Sequence, residues 1–537
     1  MNITLHLSWI RVFVCGVVLL LLTACNLQSE SRIVYVTATP QSVPQSNDNT
    51  DLSAPVQPEL SPVPMYPSSQ PTPNPPRFDI NLDWSNRHIV QTGDNLYYIA
   101  LNYGTSLDSI LELNQLDDPD NLFVGQEILL PGVPGDQTSD FKIIPDSRLV
   151  HGPGSNHFDI AAFIAQQPGY IHWATDVVTT RLANNSTIDE TLTAAQVIER
   201  VSLEYSVDAR LLLALLEYRA GWLSNLTPEN GLDIYPMIPA AYSPAFDRSG
   251  LYKQLAWVAD QLNYGYYGWK YRGWVTLEFT GGERFLYDPG LNAGTVGLQY
   301  FFSINDTSTA WRHHISSEGF YRTYFAYFGD PFAAAVEPLV PANMTQPAMN
   351  FPFAAGETWF FTGGAHGGWN SGSAWAAIDF APPDESEDGV ACFVSDYWAV
   401  AVAAGVIARS DKGVVVLDLD GDGDESTGWT VMYLHLAANG RVARGTRVNA
   451  GDMIGRPSCE GGFSTATHLH IARLYNGEWI AADCQVCSVY DTRPAFTMSG
   501  WSVIGLKNQE YQGYLDRNGE RRIAEQGRLL IENRVSW

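Results

Sequence analysis

The chain changes its hydrophobic rhythm several times. Behind Arg11, residues Val12 to Leu22 form one apolar run. That is the length of a signal-peptide core and too short to span a bilayer. Residues 26–86 then lose apolar periodicity. "TPQSVPQSNDNTDLSAPVQPELSPVPMYPSSQPTPNPP" is dense in Pro, Ser, Asn and Gln and cannot build a core. Such a linker is stiff, at about 3 Å per residue, so it reaches on the order of 100 Å. In residues 88–132 the pattern predicts strand, helix, helix, strand. Ile89 and Val90 sit in the first strand. Leu96, Ile99 and Ala100 recur at helical spacing, then Leu107, Ile110 and Leu111 behind a cap at Thr105 or Ser106, with Asn114 as the stop. Ile128 to Leu130 make the last strand.

Residues 140–345 read as mainly helical and aromatic. "TAAQVIERVSLEYSVDARLLLALLEYRAGWL" predicts two helices broken at Tyr205–Asp208, with Asp208 capping the second. From about residue 350 the pattern becomes short strands and Gly-rich turns. "AWAAIDFA", "YWAVAVAAGVIARS", "GVVVLDLD", "WTVMYLHL" and "HLHIARL" are the strand candidates of an antiparallel β domain over 350–500, with a β extension over 501–537.

With 537 residues, the chain exceeds one core, and roughly two to four domains are expected. The formal charge is −27, from 58 acidic and 31 basic residues. That argues against nucleic acid as a partner, because phosphates need Lys and Arg. Six cysteines occur. Cys15 leaves with the signal in residues 1–25. "LTAC" resembles a bacterial lipobox, which implies lipidation of Cys25 and an extracytoplasmic, membrane-anchored protein in the cell envelope. An ordinary signal peptide cut nearby is the alternative. Cys392, Cys459, Cys484 and Cys487 remain, and outside the cytoplasm they read as disulfides of open connectivity. Zinc at Cys484-x-x-Cys487 ranks lower, because no second CxxC exists.

"VQTGDNLYYIALNYGTS", "LNQL" and "VGQEILLP" together resemble a LysM domain. The resemblance implies a small βααβ fold that binds N-acetylglucosamine-containing glycans such as peptidoglycan. It places the groove between the loop with Thr92, Gly93 and Asp94 and the loop from Leu116 and Asp117 to Asp120. In the helical region, Glu217 ends an apolar helix beside Tyr218 and Arg219. A carboxylic acid in an apolar setting can act as general acid on a glycosidic bond. The pattern, with Gly297-Leu298-Gln299, faintly resembles lysozyme-like lytic transglycosylases. The competing reading, and the preferred one, pairs Glu217 structurally with Arg219 or Arg210.

The last domain holds four histidines, His366, His435, His468 and His470, each in a strand or Gly-rich loop. Asp379 sits between Ile378 and Phe380. His468 and His470 are two apart and would share one strand face, a natural seat for a metal. "GGAHGGWNSGSAWAAIDFAP", "YLHLAANGRVARGTRVNAGDMIG" and "STATHLHIA" resemble the LytM/lysostaphin-type zinc endopeptidases. Their common His-x-x-x-Asp motif is altered, because Trp375 stands four before Asp379. His366, thirteen residues before it, resembles the longer spacing of the beta-lytic and staphylolysin branch. The resemblance implies zinc (Zn2+) held by His366, Asp379 and His470. It makes His435 and His468 the catalytic pair, acting as general base and as oxyanion stabiliser or proton donor, undivided. Tyr433 shares a face with His435 and is expected in the cleft. Asp418, Asp420 and Asp422 mimic half an EF-hand loop, but Trp429 stands at the twelfth position and strands flank it. A hairpin turn over Asp418–Asp424 fits better, with an acidic tip that could take calcium weakly.

The expectation is a zinc endopeptidase cutting peptide cross-links of peptidoglycan, tethered by LysM. The alternatives are a non-catalytic wall-binding scaffold that activates an amidase, and a bifunctional lysin using Glu217 on glycan.

Overall fold

The computed structural model describes residues 87–537 apart from 92–93, 104–106, 131–136, 240–245, 273, 280–282, 387, 484–492, 507–508 and 529–530. Cys25, the linker, Thr92, Gly93, the proposed cap at Thr105 or Ser106, Cys484 and Cys487 lie outside the described residues.

The first unit is strand Arg87–Ile89, helices Leu96–Asn102 and Leu107–Asn114, and strand Glu127–Leu129. The strands pair antiparallel with His88 opposite Ile128. Val90, Leu96, Ile99, Ala100, Ile110 and Ile128 form its core. Asn114 ends the second helix by bridging the backbone of Leu129, donating to its carbonyl at 2.6 Å and accepting its N–H at 2.7 Å.

In the helical region, Thr193 opens helix Ala194–Tyr205 with a capping box completed by Gln196. Asp208 accepts from the Arg210 N–H and opens helix Ala209–Ala220, as expected. Gly221 closes that helix at φ 63°. Leu211 to Leu216 are all buried, so this helix runs through the centre of the region rather than along its surface. Helices Leu251–Lys270 and Ala293–Asn305 cross closely at two glycines. A Cβ on Gly265 would lie 2.9 Å from the Gly297 Cα, so the Gly297-Leu298-Gln299 segment serves helix packing. A hairpin, Thr175–Arg181 with Thr187–Thr193, was not evident in the periodicity.

The C-terminal sheet runs in the order Arg447–Val448, Gly405–Asp411, Val414–Asp418, Trp429–Leu434, Leu469–Tyr475, Ala377–Ala381, Trp359–His366 and Arg534–Val535, all antiparallel. Glu478–Trp479 pairs beside Leu469–Tyr475. One face carries Ile378, Phe380, Val415, Leu417, Val431, Tyr433, Leu469 and Ile471 into a core of the β domain alone. The other face carries Ala377, Val414, Val416, Met432, Leu434, Ala472 and Leu474 into a core shared with the helices. Both faces are therefore covered, which is why these strands read as nearly unbroken apolar runs. A four-stranded sheet, Thr497–Met498, Trp501–Leu506, Gln509–Arg517 and Glu520–Ile523, follows.

A buried polar knot stitches helices to sheet. Glu478, fully buried, accepts from the Tyr266 and Tyr271 hydroxyls at 2.7 Å each and from Lys270 at 2.5 Å. Burial alone would raise its pKa, but Lys270 and Arg493 hold the carboxyl below its ordinary value. The Trp479 N–H donates to the Tyr267 hydroxyl at 2.9 Å. Removing either side of such a network would leave buried charge unpaired.

Candidate metal centre

Three neighbouring strands bring the sequence-predicted ligands together. His470 lies directly opposite Asp379 in the register of Leu469–Tyr475 with Ala377–Ala381. His366 ends the next strand, where two register irregularities at Gly363 turn its side chain toward the same spot. Gly363 stands opposite Asp379, and a Cβ there would fall 2.5 Å from the Asp379 Oδ2. The carboxylate thus occupies space that only a glycine leaves.

The donor atoms form a nearly equilateral triangle. His366 Nε2 to His470 Nδ1 is 3.0 Å, His470 Nδ1 to Asp379 Oδ1 is 3.2 Å, and His366 Nε2 to Asp379 Oδ1 is 3.3 Å. A tetrahedral ion with bonds of about 2.0–2.1 Å sets its ligand atoms about 3.3 Å apart. The other nitrogen of each ring faces a carbonyl: His366 Nδ1 meets Gly364 O at 2.7 Å, and His470 Nε2 meets Gly368 O at 3.0 Å. Those carbonyls can only accept, so in the neutral form of each ring the proton lies there and the lone pairs of Nε2 and Nδ1 face the shared centre. Asp379 Oδ1 is buried and receives no hydrogen bond. Two ring lone pairs and an orphan carboxylate oxygen make a donor set that a divalent cation fits. Burial works against charge on Asp379, yet His366, His468 and His470 hold it well below the carboxylate range. Burial lowers the His366 pKa, but Asp379 overcomes it and leaves the ring above its usual value.

His468 and His435 flank the triangle. The His468 Nδ1 meets the Ala466 carbonyl at 2.8 Å, which leaves Nε2 toward the site, 3.7 Å from Asp379 Oδ1. The His435 Nδ1 meets the Glu460 carbonyl at 3.0 Å, and its ring centroid is 4.5 Å from that of His468. Burial, with His468 and His470 close by, pushes the His435 pKa well down. The expectation for Tyr433 fails. It is fully buried in the sheet's other face, and its hydroxyl accepts from the Val402 N–H at 2.9 Å. Strand Trp429–Leu434 ends before His435, which takes φ 70°, so the two-residue alternation does not carry across.

Residues that local pattern did not reveal complete the rim. Tyr511 stacks on the His366 ring with centroids 4.3 Å apart. Glu510 accepts from the Gly367 N–H at 3.0 Å and from the Ser371 hydroxyl at 3.2 Å. Both come from a strand more than a hundred residues downstream, and no local signal pointed to them. Cys392 and Cys459 form a disulfide, one of the pairings left open by sequence, and it fixes the loop that presents the Glu460 carbonyl. The hairpin of the helical region reaches this loop, with the Cys459 N–H donating to Ala183 O at 3.0 Å and the Gly461 N–H to Arg181 O at 3.1 Å.

Glu217 is remote from the triangle in role and setting. Its carboxylate accepts the Leu223 N–H at 2.8 Å, the Ser224 N–H at 3.2 Å, the Ser224 hydroxyl at 2.6 Å and the Tyr327 hydroxyl at 3.1 Å. It closes the turn after its helix. Arg219 pairs instead with Asp306 at 2.6 Å, and Arg210 with Asp208 at 2.6 Å. In the first unit, Asp94 is occupied by His88 at 2.7 Å and the Gln91 N–H at 2.8 Å, which shapes the loop rather than leaving the carboxylate open. Leu116 packs partly into the core, and Asp117 is exposed. At the hairpin tip, Asp418 accepts from the N–H groups of Asp420, Gly421 and Gly423, so the acidic turn is built by its own hydrogen bonds. Oxygens of Asp418, Asp420 and Asp422 lie within 4.8 Å of one another.

Residues 142–343 match the family described as "LasA, N-terminal domain", and residues 88–131 match the LysM domain. Protease LasA of Pseudomonas aeruginosa (strain UCBPP-PA14) is 25% identical over 304 residues, which span 53% of this chain and 67% of that protein. The PAO1 strain's Protease LasA gives the same figures, 25% over 304 residues. Among solved structures, the M23 metalloprotease pseudoalterin from the deep sea is 26% identical, covering 34% of this chain and 96% of that chain at a TM-score of 0.26. The catalytic domain of lysostaphin from Staphylococcus simulans is 21% identical, covering 26% and 89% at a TM-score of 0.16. The chain is therefore a distant relative of a protease and carries a LysM segment. Its helical region matches the LasA N-terminal domain.

Proposed function

We propose that this protein is a zinc-dependent endopeptidase that hydrolyses peptide cross-links of peptidoglycan, with its LysM segment holding the glycan. The observation that carries this reading is the triangle of His366, Asp379 and His470 donor atoms, with edges of 3.0, 3.2 and 3.3 Å and both ring protons turned away. The kinship with Protease LasA supports it.

Bound there, zinc would polarise the scissile carbonyl and acidify a water toward neutral pH. The chain supplies the rest. Gly364 O and Gly368 O keep the two ligand rings in the tautomers that present lone pairs. His468 and His435 present their Nε2 atoms beside the site, each fixed by a backbone carbonyl on Nδ1. Between them they take the proton from the attacking water, steady the oxyanion and return a proton to the leaving amine. The pair is asymmetric, since His435 is buried and His468 reaches the mouth. Thr92, Gly93, Asp94, Leu116 and Asp117 belong to the glycan groove in this reading. Local tethering then raises the concentration of cross-links at the site. Cys25 carries lipid and anchors the protein outside the cytoplasm, with residues 26–86 spanning into the wall. The units follow as LysM over 88–132, helical region over 140–345, and peptidase over 350–500 with its β extension.

Glu217 is not given a second activity, because both its carboxylate oxygens are taken up by hydrogen bonds from Leu223, Ser224 and Tyr327 that close the turn after its helix. Incubation with purified peptidoglycan should release new amino termini. His470→Ala and a zinc chelator should each abolish the release. Persistence of the release in both would end the proposal. Metabolic lipid labelling lost in Cys25→Ala tests the anchor.

A further inference from the structure

Strand Gln509–Arg517 does not run evenly beside strand Trp501–Leu506. Gly505 pairs with Gly513 and Leu506 with Gln509, so residues 510–512 have no opposite number and bulge from the ladder. Tyr511, in the middle of the bulge, takes φ 68°, in the left-handed region that bulky side chains rarely enter. The bulge leans on strand Trp359–His366 at a glycine: a Cβ on Gly364 would lie 2.5 Å from the Gln512 carbonyl oxygen. Backbone held in so sparse a region persists only where its surroundings over-determine it. This bulge brings two side chains to the metal centre. Tyr511 stacks on the His366 ring, and Glu510 reaches the loop of residues 367–376 that leads from His366 to the Asp379 strand.

Glu510 grips that loop with both oxygens. Its Oε1 accepts the Gly367 N–H at 3.0 Å, and its Oε2 accepts the Ser371 hydroxyl at 3.2 Å. Gly367 directly follows the ligand His366 and directly precedes Gly368, whose carbonyl faces the His470 Nε2 at 3.0 Å. One carboxylate therefore holds the peptide between one histidine ligand and the carbonyl that orients the other. Further along, the loop is braced internally, by the Gly368 N–H on Ala374 O at 3.2 Å and the Trp369 N–H on Ser373 Oγ at 3.1 Å. Glu510, Gly367 and Ser371 all lie beyond residue 350, so this hold involves none of the helical region.

We infer that Glu510 is a positioning residue of the metal centre: it fixes the backbone of residues 366–368, so that the His366 and His470 rings keep the angles at which their nitrogens converge. This rests on the zinc-peptidase reading above and deepens it. Glu510 acts through the loop and is not itself a ligand.

The test uses the full chain and a competing chromophoric chelator for zinc, with kcat and KM for a cross-linked wall peptide measured beside it. Glu510→Ala should weaken zinc retention about tenfold, the lower end of what loss of an outer-shell partner costs. Its kcat should fall while KM changes little. Glu510→Gln loses the charge but keeps an oxygen for the Gly367 N–H, and should stay close to wild type in zinc retention. Glu510→Asp keeps the charge but draws the carboxylate back by one carbon, about 1.5 Å, and should lose zinc as the alanine variant does. If Glu510→Ala fails to fold, the contrast between Glu510→Gln and Glu510→Asp carries the test. A merely structural role would lower the melting temperature and leave zinc retention alone. Wild-type zinc retention in Glu510→Ala or Glu510→Asp, or a loss in Glu510→Gln as large as in Glu510→Asp, overturns the inference. A wild-type chain that takes up no zinc sinks the peptidase reading instead, so the two failures are distinguishable.

Discussion

Gly363→Ala adds one methyl group and removes no ligand, yet it should disable the site. A Cβ at this position would lie 2.5 Å from Asp379 Oδ2, 3.0 Å from its Cγ and 3.1 Å from its Cβ. Ordinary van der Waals contact begins near 3.4 Å, so the carboxylate must retreat by nearly 1 Å. Metal ligation tolerates about 0.2 Å. Rotating the carboxylate does not clear the clash, because the Asp379 Cβ, fixed on a strand hydrogen-bonded on both sides, itself lies 3.1 Å from the added methyl. Overpacking of this kind costs about 1–3 kcal/mol in stability, and zinc affinity should drop by roughly 10–100-fold or more. Gly363 has no left-handed φ, so the effect is steric rather than conformational. The assay is chelator competition on the folded variant, with far-UV circular dichroism to confirm folding. A folded Gly363→Ala protein that holds zinc as tightly as wild type would refute the assignment of Asp379 as a ligand.

Trp479→Ala should destabilise the chain by about 3–5 kcal/mol, read from denaturant midpoints, because the indole is buried where helices meet sheet. Reducing the Cys392–Cys459 bridge, 67 residues apart in sequence, should cost about 4 kcal/mol by loop entropy, read from denaturant midpoints with and without reductant. Glu217→Ala should cost roughly 1–3 kcal/mol by stranding the Leu223 and Ser224 N–H groups, while the amount of amino termini released per folded molecule stays unchanged. For pH, burial raises the Asp176 carboxyl to about 6 from an ordinary 3.8. The folded state then holds the proton longer than the unfolded one, so this group's contribution is full below about pH 4 and is lost as pH rises toward 6. The loss is on the order of 2–3 kcal/mol. Asp176→Asn should flatten stability across that window; an unchanged pH profile would count against it.

Much was legible in local pattern, and for a stated reason. The helix cap at Asp208 and the stop at Asn114 rest on contacts between near neighbours, the Arg210 N–H and the Ile110 carbonyl, so the sequence carries them directly. The His468/His470 pair and Asp379 announced themselves because chemistry-bearing residues in apolar strands are costly without a purpose. Tyr433 was misplaced because the two-residue period was extended across the end of a strand.

The remainder depended on the third dimension. Primary structure determined which side chains could bind a cation and where the main helices and strands of the described residues fall, since these follow from residue chemistry and spacing. Tertiary structure alone decided that Gly364 and Gly368 set the ring tautomers and that Glu510 and Tyr511 reach the rim. These are contacts between residues far apart along the chain. Backbone carbonyls and packing faces carry no local signature, because every residue has a carbonyl and an apolar strand covered on both sides does not say what covers it.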